Sequence, residues 1–344
     1  VALTAVLLLA VRPIVSIMST PEAAVDGTVV YLTICFAGVP FITAYNLISA
    51  IFRGMGDARS PMWFVAIACV ANIALDLLFI GALGLGPAGA ALGTTLSQAL
   101  SVVLSVAVVR RRRMIPGLTR QDLRPSKPML GAILRVGVPI AAQDGFIQIS
   151  FLLITVFANL RGLNDAAAVG IVEKLIGFLF LVPSSMLSTV SALAAQNIGA
   201  GKHDRARRTL RYALMITVAY GAVCAVAMQF WAEGAVWLFA KDATVIAMGG
   251  QYMRSYAIDC IFAGLHFCFS GYFCAYGKSW ISFLHNVLSV VLLRVPLSWL
   301  AAKYCTDSLF PMGLAAPAGS LLSIAICLIA FRLMTRQLRT KGAL

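Results

Sequence analysis

Runs of apolar residues long enough to cross a lipid bilayer dominate this sequence and set what it can fold into. A transmembrane helix needs about 20 mostly apolar residues. Ten such stretches are present, at residues 1–18, 27–52, 62–83, 88–109, 131–158, 166–198, 209–231, 245–275, 281–302 and 312–334. Transmembrane β-strands are excluded, because these runs far exceed about 10 residues and do not alternate polar with apolar. Only 12% of the residues are charged and the mean hydropathy is +0.91, where a soluble domain carries about 25% charge. The expected class is therefore an all-α, polytopic helical membrane protein of ten helices, the longest of which must tilt, kink or project. Eight cysteines show no CxxC pair and all but Cys305 sit in apolar runs, so they read as small buried hydrophobes. Residue 1 is Val, already inside an apolar run and without the features of a signal peptide, so the chain is expected to be cut at its front.

The net charge of +14 signals membrane orientation, not nucleic-acid binding, because Lys and Arg fall on alternate connections and positive loops stay cytoplasmic. One set of connections carries Arg53 and Arg59, then Arg110–Arg113, Arg120, Arg124, Lys127 and Arg135, then Lys202, Arg205, Arg207, Arg208 and Arg211, then Lys278 and the C-terminal tail. The intervening loops hold only Arg161, Lys241 and Lys303, with the acids Glu22, Asp26, Asp165, Glu233, Asp242 and Asp307. Both ends of the chain are expected in the cytoplasm, the protein in the plasma (inner) membrane, and anionic membrane lipid as a partner.

The polar, Arg- and Pro-rich stretch Arg110 to Pro128 separates four apolar segments from six. It divides the chain into an incomplete four-helix half (1–113), a basic linker (114–130) and a six-helix half (131–344). Gly56-Asp57-Ala58-Arg59-Ser60 opens the third segment and Gly277-Lys278-Ser279 the ninth; Gly86-Pro87-Ala88-Gly89 opens the fourth and Ala316-Pro317-Ala318-Gly319 lies near the start of the tenth. This order is that of a parallel repeat. If the ninth segment is the fifth helix of its half, two helices are expected before Val1.

Several longer motifs accompany these: Arg53-Gly54-Met55-Gly56-Asp57-Ala58-Arg59-Ser60-Pro61, NIALD from Asn72 to Asp76, and LGLGPAGAA from Leu83. The second half adds Gly137-Val138-Pro139, Ala195-Gln196-Asn197-Ile198-Gly199-Ala200-Gly201-Lys202, and Leu293-Arg294-Val295-Pro296. Carrying this ordered series, the chain resembles the multidrug and toxic compound extrusion (MATE) family. The resemblance implies two six-helix lobes that rock about a central cavity in cation-coupled export, of which this chain covers the third helix to the twelfth. The family's first helix, which in many members carries a coupling Asp, has no counterpart here.

A charge at mid-membrane costs roughly 2.5 to 3.5 kcal/mol on insertion scales, so each intramembrane ionisable residue needs a partner, a wet cavity or a function. Counting about 1.5 Å per residue puts Asp144, Asp259, His266 and Arg294 near the midplane of the second half. They are the candidates for ion coupling. The alternative is a fixed Asp259–Arg294 ion pair, with Asp144 lining a hydrated vestibule and His266 a hydrogen-bonded core histidine. Glu173 and Lys174, about 100° apart on one helix, are cavity candidates with Gln143 and Gln148, or else Lys174 snorkels to headgroups. Asn72 and Asp76, at i and i+4, share a stripe that reads as a hydrogen-bond network or a substrate contact. Gly54, Gly56, Asp57, Arg59, Pro61, Gln196, Asn197, Gly199 and Gly277 are motif residues of structural role, Gln196 and Asn197 being read as caps. Pro139 and Pro183 fall inside apolar runs and predict kinks. Phe146, Phe151, Phe178, Phe180, Phe262, Phe267, Phe269, Tyr272, Phe273 and Met186 form a pool from which an adaptable cation-π surface could be drawn.

The resulting expectation is a secondary active exporter of amphipathic, cationic organic compounds, with H+ or Na+ as coupling cation and no other cofactor. No nucleotide-binding GxxxxGK[ST] and no HExxH occurs, so no enzyme activity is expected. Nucleic acid is not an expected partner, and a monomer is the expected state. The rival readings are a flippase for a lipid-linked substrate and a degenerate, non-transporting membrane protein.

Overall fold

A computed structural model describes residues 2–17, 22–112 and 126–340. Every regular element among them is helical. The first part holds α1 (Ala2–Ile17), α2 (Glu22–Gly54), α3 (Arg59–Asp76), a π-helical turn (Leu77–Ala82) that continues α3, and α4 (Gly86–Arg111). The second holds α5 (Lys127–Arg161), α6 (Leu163–Leu179), α7 (Leu181–Gly199), α8 (His203–Trp237), α9 (Ala243–Ala257) and α10 (Asp259–Ala275). It continues with α11 (Ser279–Ser289), a π-helical turn (Val290–Arg294), α12 (Val295–Tyr304), α13 (Phe310–Gly313) and α14 (Ala315–Thr340). The chain divides into two compact units, Val1–Arg124 and Pro125–Leu344.

Among the described residues, seven helical stretches are long and apolar enough to cross a membrane, or nine when the bent pairs α6–α7 and α9–α10 each count as one span. The first apolar run yields a shorter apolar helix, Leu3–Ser16. Ten is thus an approximate count. Most of the linker expected at 114–130 lies outside the described residues, with Arg113, Arg120 and Arg124; its last residues, from Lys127, already belong to α5.

Two of the runs that read as single helices are broken, each by a 41° bend. At the first, Pro183 has no N–H to give the Leu179 carbonyl four residues earlier. The Tyr220 hydroxyl of α8 donates to that carbonyl instead, at 3.2 Å. At the second, the Ile261 N–H closes onto the Ile258 carbonyl at 3.2 Å, and α10 starts at Asp259. Pro139, by contrast, lies within the continuous helix α5.

Packing in the first unit follows small residues. Gly89, Ala91, Gly93, Ser97, Ser101 and Ser105 are the buried positions of α4, on the helix that packs against both α2 and α3. In hydrocarbon, such faces bring backbones close enough for dispersion to hold them. The second unit uses the same device: a Cβ on Gly221 of α8 would lie 2.6 Å from the Cys260 carbonyl oxygen, and one on Gly264 of α10 2.7 Å from Thr217 Cβ. The lipid-facing character is plain in the large apolar side chains left exposed, such as Leu77, Leu160, Phe230 and Trp231. All eight cysteines are free; Cys224, Cys260, Cys268 and Cys327 are buried as expected, whereas Cys69 and Cys305 are exposed.

Three turns share one geometry. The Gly56 N–H bonds Arg53 O and the Asp57 N–H bonds Phe52 O; Gly201 and Lys202 bond Ile198 and Asn197 likewise, and Gly277 and Lys278 bond Cys274 and Phe273. The glycines have φ of 89°, 70° and 67°, the left-handed residue of a Schellman cap. The glycine that turns the chain after α7 is therefore Gly201, not the motif's Gly199. The Asn197 side-chain amide donates to Leu193 O at 2.7 Å, one turn back inside α7, and the Gln196 side chain is exposed. Gly54 lies at the end of α2, Arg59 is exposed and Pro61 buried in the first turn of α3.

Candidate functional site

The second unit has two apolar cores. One gathers Ile154, Val172, Ile176, Met253, Tyr256 and their neighbours; the other gathers Val190, Leu210, Phe269, Phe273 and Cys327 with theirs. Along α9 and α10 the first core ends at Tyr256 and the second resumes at Cys268. Asp259 and His266, both buried, fall in the gap between them.

Arg294 organises this gap. It ends the π-helical turn of the ninth run, and its guanidinium donates to the Tyr256 hydroxyl at 2.6 Å while lying 4.5 Å over the Phe151 ring. It is the charged neighbour of Glu173, Asp259 and His266. Yet among the described residues the ion pairs are Arg112–Asp57, Arg161–Asp165 and Arg254–Glu233, so Asp259 and Arg294 are close without being a fixed pair. Glu173 receives a hydrogen bond from the Thr155 hydroxyl at 3.5 Å. Ser320 stands beside Asp259 and lies 3.5 Å from His266 Nε2.

What sets this cluster apart is incompleteness. Glu173 Oε1, Asp259 Oδ1, His266 Nδ1 and Arg294 Nε are all buried without a hydrogen-bond partner. A buried polar atom left without any partner costs about 1–3 kcal/mol, so native folds satisfy such atoms with water or a bound ion, or retain them for strain or function. The backbone shares the irregularity: Asp259 is the first residue of a half-helix, where the positive end of the helix dipole favours an anion, and Arg294 sits on a π turn.

Of the expected coupling residues, the structure thus brings Asp259, His266 and Arg294 together and adds Glu173. Asp144 is exposed on α5 and stays apart, but with Gln148, Phe151 and Thr155 it falls on one stripe of that helix (i, i+4, i+7, i+11). It lies about 16 Å along the axis from Thr155. Gln143 is buried with its amide oxygen unpartnered, and Gln148 is exposed. Glu173 turns into the unit while Lys174 points outward.

In the first unit, Asn72 donates to Asp76 at 3.4 Å. Gly93 of α4 leaves room for that carboxylate, since a Cβ there would collide with Asp76 Oδ1. Asp76 directly precedes the π turn of its own run.

Sequence reasoning passed over Tyr256, Thr155, Ser320 and His285. The last is fully buried, with Ser270 Oγ 2.9 Å from Nε2 and Ser323 Oγ 3.2 Å from Nδ1; its ring centre lies 5.7 Å from that of His266. A histidine inside an apolar run was the available signal.

No group of three or more His, Cys, Asp or Glu residues suited to a metal occurs among the described residues. The arrangement instead offers two carboxylates, each with an unpaired oxygen, around one arginine that a further cation could displace from their field.

Comparison with known proteins places the chain among relatives of one family. The MatE family model matches residues 1–78 and 139–300. The probable multidrug resistance protein YpnP of Bacillus subtilis is 29% identical over 293 residues, covering 83% of this chain and 65% of that protein. The FAD transporter of Shewanella oneidensis is 24% identical over 326 residues, covering 92% and 71%. The chain spans 65% and 51% of the lengths of the two Bacillus subtilis resistance proteins YpnP and YoeA. Among solved structures, a MATE protein in complex with MaL6 superposes with a TM-score of 0.90 at 21% identity, over 98% of this chain and 76% of that one. A MOP-superfamily transporter from Pyrococcus furiosus gives 0.91 at 21% identity over the same shares.

Proposed function

The chain belongs to the MatE family, and from that premise we propose that it carries out secondary active export of amphipathic, cationic organic compounds, driven by entry of H+ or Na+. Its basic turns face the cytoplasm, it acts as a monomer in the plasma membrane, and it uses no cofactor beyond the coupling cation.

The observation that carries the reading is the pair of unpartnered carboxylate oxygens, Glu173 Oε1 and Asp259 Oδ1, buried beside Arg294. A proton would bond covalently to one of them; a sodium ion would take one of them as a ligand. Either gives a carboxylate oxygen a partner and weakens the hold of the carboxylates on the guanidinium. A cation bound more tightly in one conformation than in the other shifts the equilibrium between them by that difference in affinity. Alternating-access transporters build such sites on broken helices, as α9–α10 is, and π turns such as that at Arg294 are frequent at functional sites. Relatives named as multidrug resistance and export proteins support the cargo class.

The test is efflux of a fluorescent organic cation from cells expressing the gene, with and without an uncoupler. Wild-type efflux should collapse with the uncoupler, and Asp259→Asn and Glu173→Gln should each slow it about tenfold or more while protein levels hold. Asp259→Asn cells that export at the wild-type rate, with protein that merely melts earlier, would leave Asp259 a structural residue. No efflux above empty vector across a dye panel would count against the export reading and favour a lipid-linked cargo.

A further inference from the structure

Away from the coupling cluster, the second unit carries an open groove of about 630 Å³ at the basic end of α8. It arises because α8 and α14 both pack on α10 without packing extensively on each other. Phe269 of α10 forms the floor, and Phe331 and Leu328 of α14 form one wall. The Phe269 and Phe331 rings meet edge to face at 5.7 Å. At the mouth stand Arg207, Arg208 and Arg211, with a single acid, Asp204.

The chemistry of this lining is divided. None of the three arginines takes part in an ion pair among the described residues, and Arg208 and Arg211 are exposed while Arg207 is half-buried. Three guanidinium groups against one carboxylate disfavour the organic cations of the proposed cargo. A small soluble anion would leave the aromatic floor unused. An amphipathic anion satisfies both parts, because guanidinium groups bind phosphate oxygens in a forked geometry and an acyl chain is at home on Phe331 and Leu328. Leu328 is 43% exposed, open to the hydrocarbon from which such a chain would come.

We propose that the α8–α14 groove is a binding site for an anionic phospholipid, its phosphate held by Arg207, Arg208 and Arg211 and one acyl chain laid along Phe331 and Leu328. The lipid bridges two helices that barely touch at this end. The site is independent of the export reading, since it needs only that the chain be embedded in a membrane.

Native mass spectrometry of the delipidated protein in detergent tests it, by titration with phosphatidylglycerol or phosphatidylcholine of identical chains. Each arginine near a membrane surface is worth roughly fivefold in affinity for anionic lipid. Wild type should therefore prefer phosphatidylglycerol by about a hundredfold. Arg207→Gln/Arg208→Gln/Arg211→Gln should lose that preference, and Arg110→Gln/Arg111→Gln/Arg135→Gln, which removes the same charge elsewhere, should keep it. Should the first triple variant fold poorly, Arg208→Gln/Arg211→Gln alters only exposed side chains and should lose most of the preference. Undiminished phosphatidylglycerol binding by the groove variants would overturn the proposal. Displacement of the lipid by millimolar inorganic phosphate would also overturn it, by assigning the arginines to a free anion.

Discussion

Arg161 shows how one side chain can carry a tertiary joint. Its Nε donates to Asp165 at 2.6 Å, and its two terminal nitrogens donate to the carbonyls of Cys305, Thr306 and Ser308 at 2.7, 2.9 and 3.2 Å and reach that of Ala301 at 3.4 Å. Cys305, Thr306 and Ser308 follow the C-terminus of α12, where carbonyls lack helical partners, while Ala301 O already accepts the Cys305 N–H. The Arg161 side chain is only 4% exposed, so this arginine, one of the few on the acidic connections, is a buried cap and not an orientation charge. Arg161→Met should leave Asp165 buried and unpaired and cost about 3–5 kcal/mol, read as a lowered midpoint of thermal unfolding in detergent. Arg161→Lys should recover little, because an ammonium cannot serve that spread of carbonyls. Asp57 works at a turn instead. It accepts from the Ser60 hydroxyl at 2.6 Å and the Ser60 N–H at 3.0 Å, and Arg112 donates to it at 2.8 Å. The Ser60 hydroxyl first, then the Ser60 N–H, and less strongly Arg112, hold its carboxyl below the ordinary 3.8. A group depressed in the fold stabilises above its unfolded value and stops doing so as the pH falls through its folded one. Protection of the Ser60 amide against hydrogen exchange, corrected for intrinsic rate, should be constant above about pH 4 and fall below 3.8; Asp57→Asn should remove that dependence.

At the α6–α7 break the sequence contains the cause but not the remedy. Pro183 marks the α6–α7 bend, and only the fold reveals that the Tyr220 hydroxyl replaces the missing N–H at Leu179 O. Tyr220→Phe alone should leave that carbonyl unsatisfied and cost about 1 kcal/mol. In the Pro183→Ala background the restored N–H can make the bond, so the same change should cost nearly nothing. A double-mutant cycle on thermal stability reads this as a coupling, and simple additivity would refute it. A second device recurs in both units. A Cβ on Gly89 would lie 3.0 Å from Phe79 Cβ, in the π turn after α3, and one on Gly319 would lie 2.8 Å from Ser289 Oγ and 3.4 Å from Arg294 Cβ, at the π turn before α12. The matched Gly-Pro-Ala-Gly and Ala-Pro-Ala-Gly segments thus each supply a glycine against the irregular turn of the preceding run. That physical likeness underlies the repeat visible in the letters.

Over the whole molecule, what could be read ahead of the structure depended on how local its cause is. Ten apolar runs, the Arg- and Lys-rich turns and the glycine caps at Gly56 and Gly277 follow from bilayer thickness, charge transfer cost and φ preference, which act within a few residues. Asp259 and Arg294 could be singled out for the same reason, as charges in a medium that resists them. Their relation could not. The sequence allows an ion pair between them, and the fold instead sets Arg294 on Tyr256 and Phe151 with Glu173 as a second carboxylate. Glu173 lies 86 residues from Asp259 and 121 from Arg294, and no periodicity within one helix tells which faces of three others it will meet. His285 and Ser320 entered the polar gap for the same reason. The sequence alone determined that this chain is a bundle of membrane helices with its charge on the connections and only a few ionisable residues deep in the runs, because hydrocarbon penalises every exception locally. Which of those positions share one site, and which oxygens there remain unpaired, was decided by helix rotation and by the π turn and half-helix break, properties that exist only once distant helices have packed.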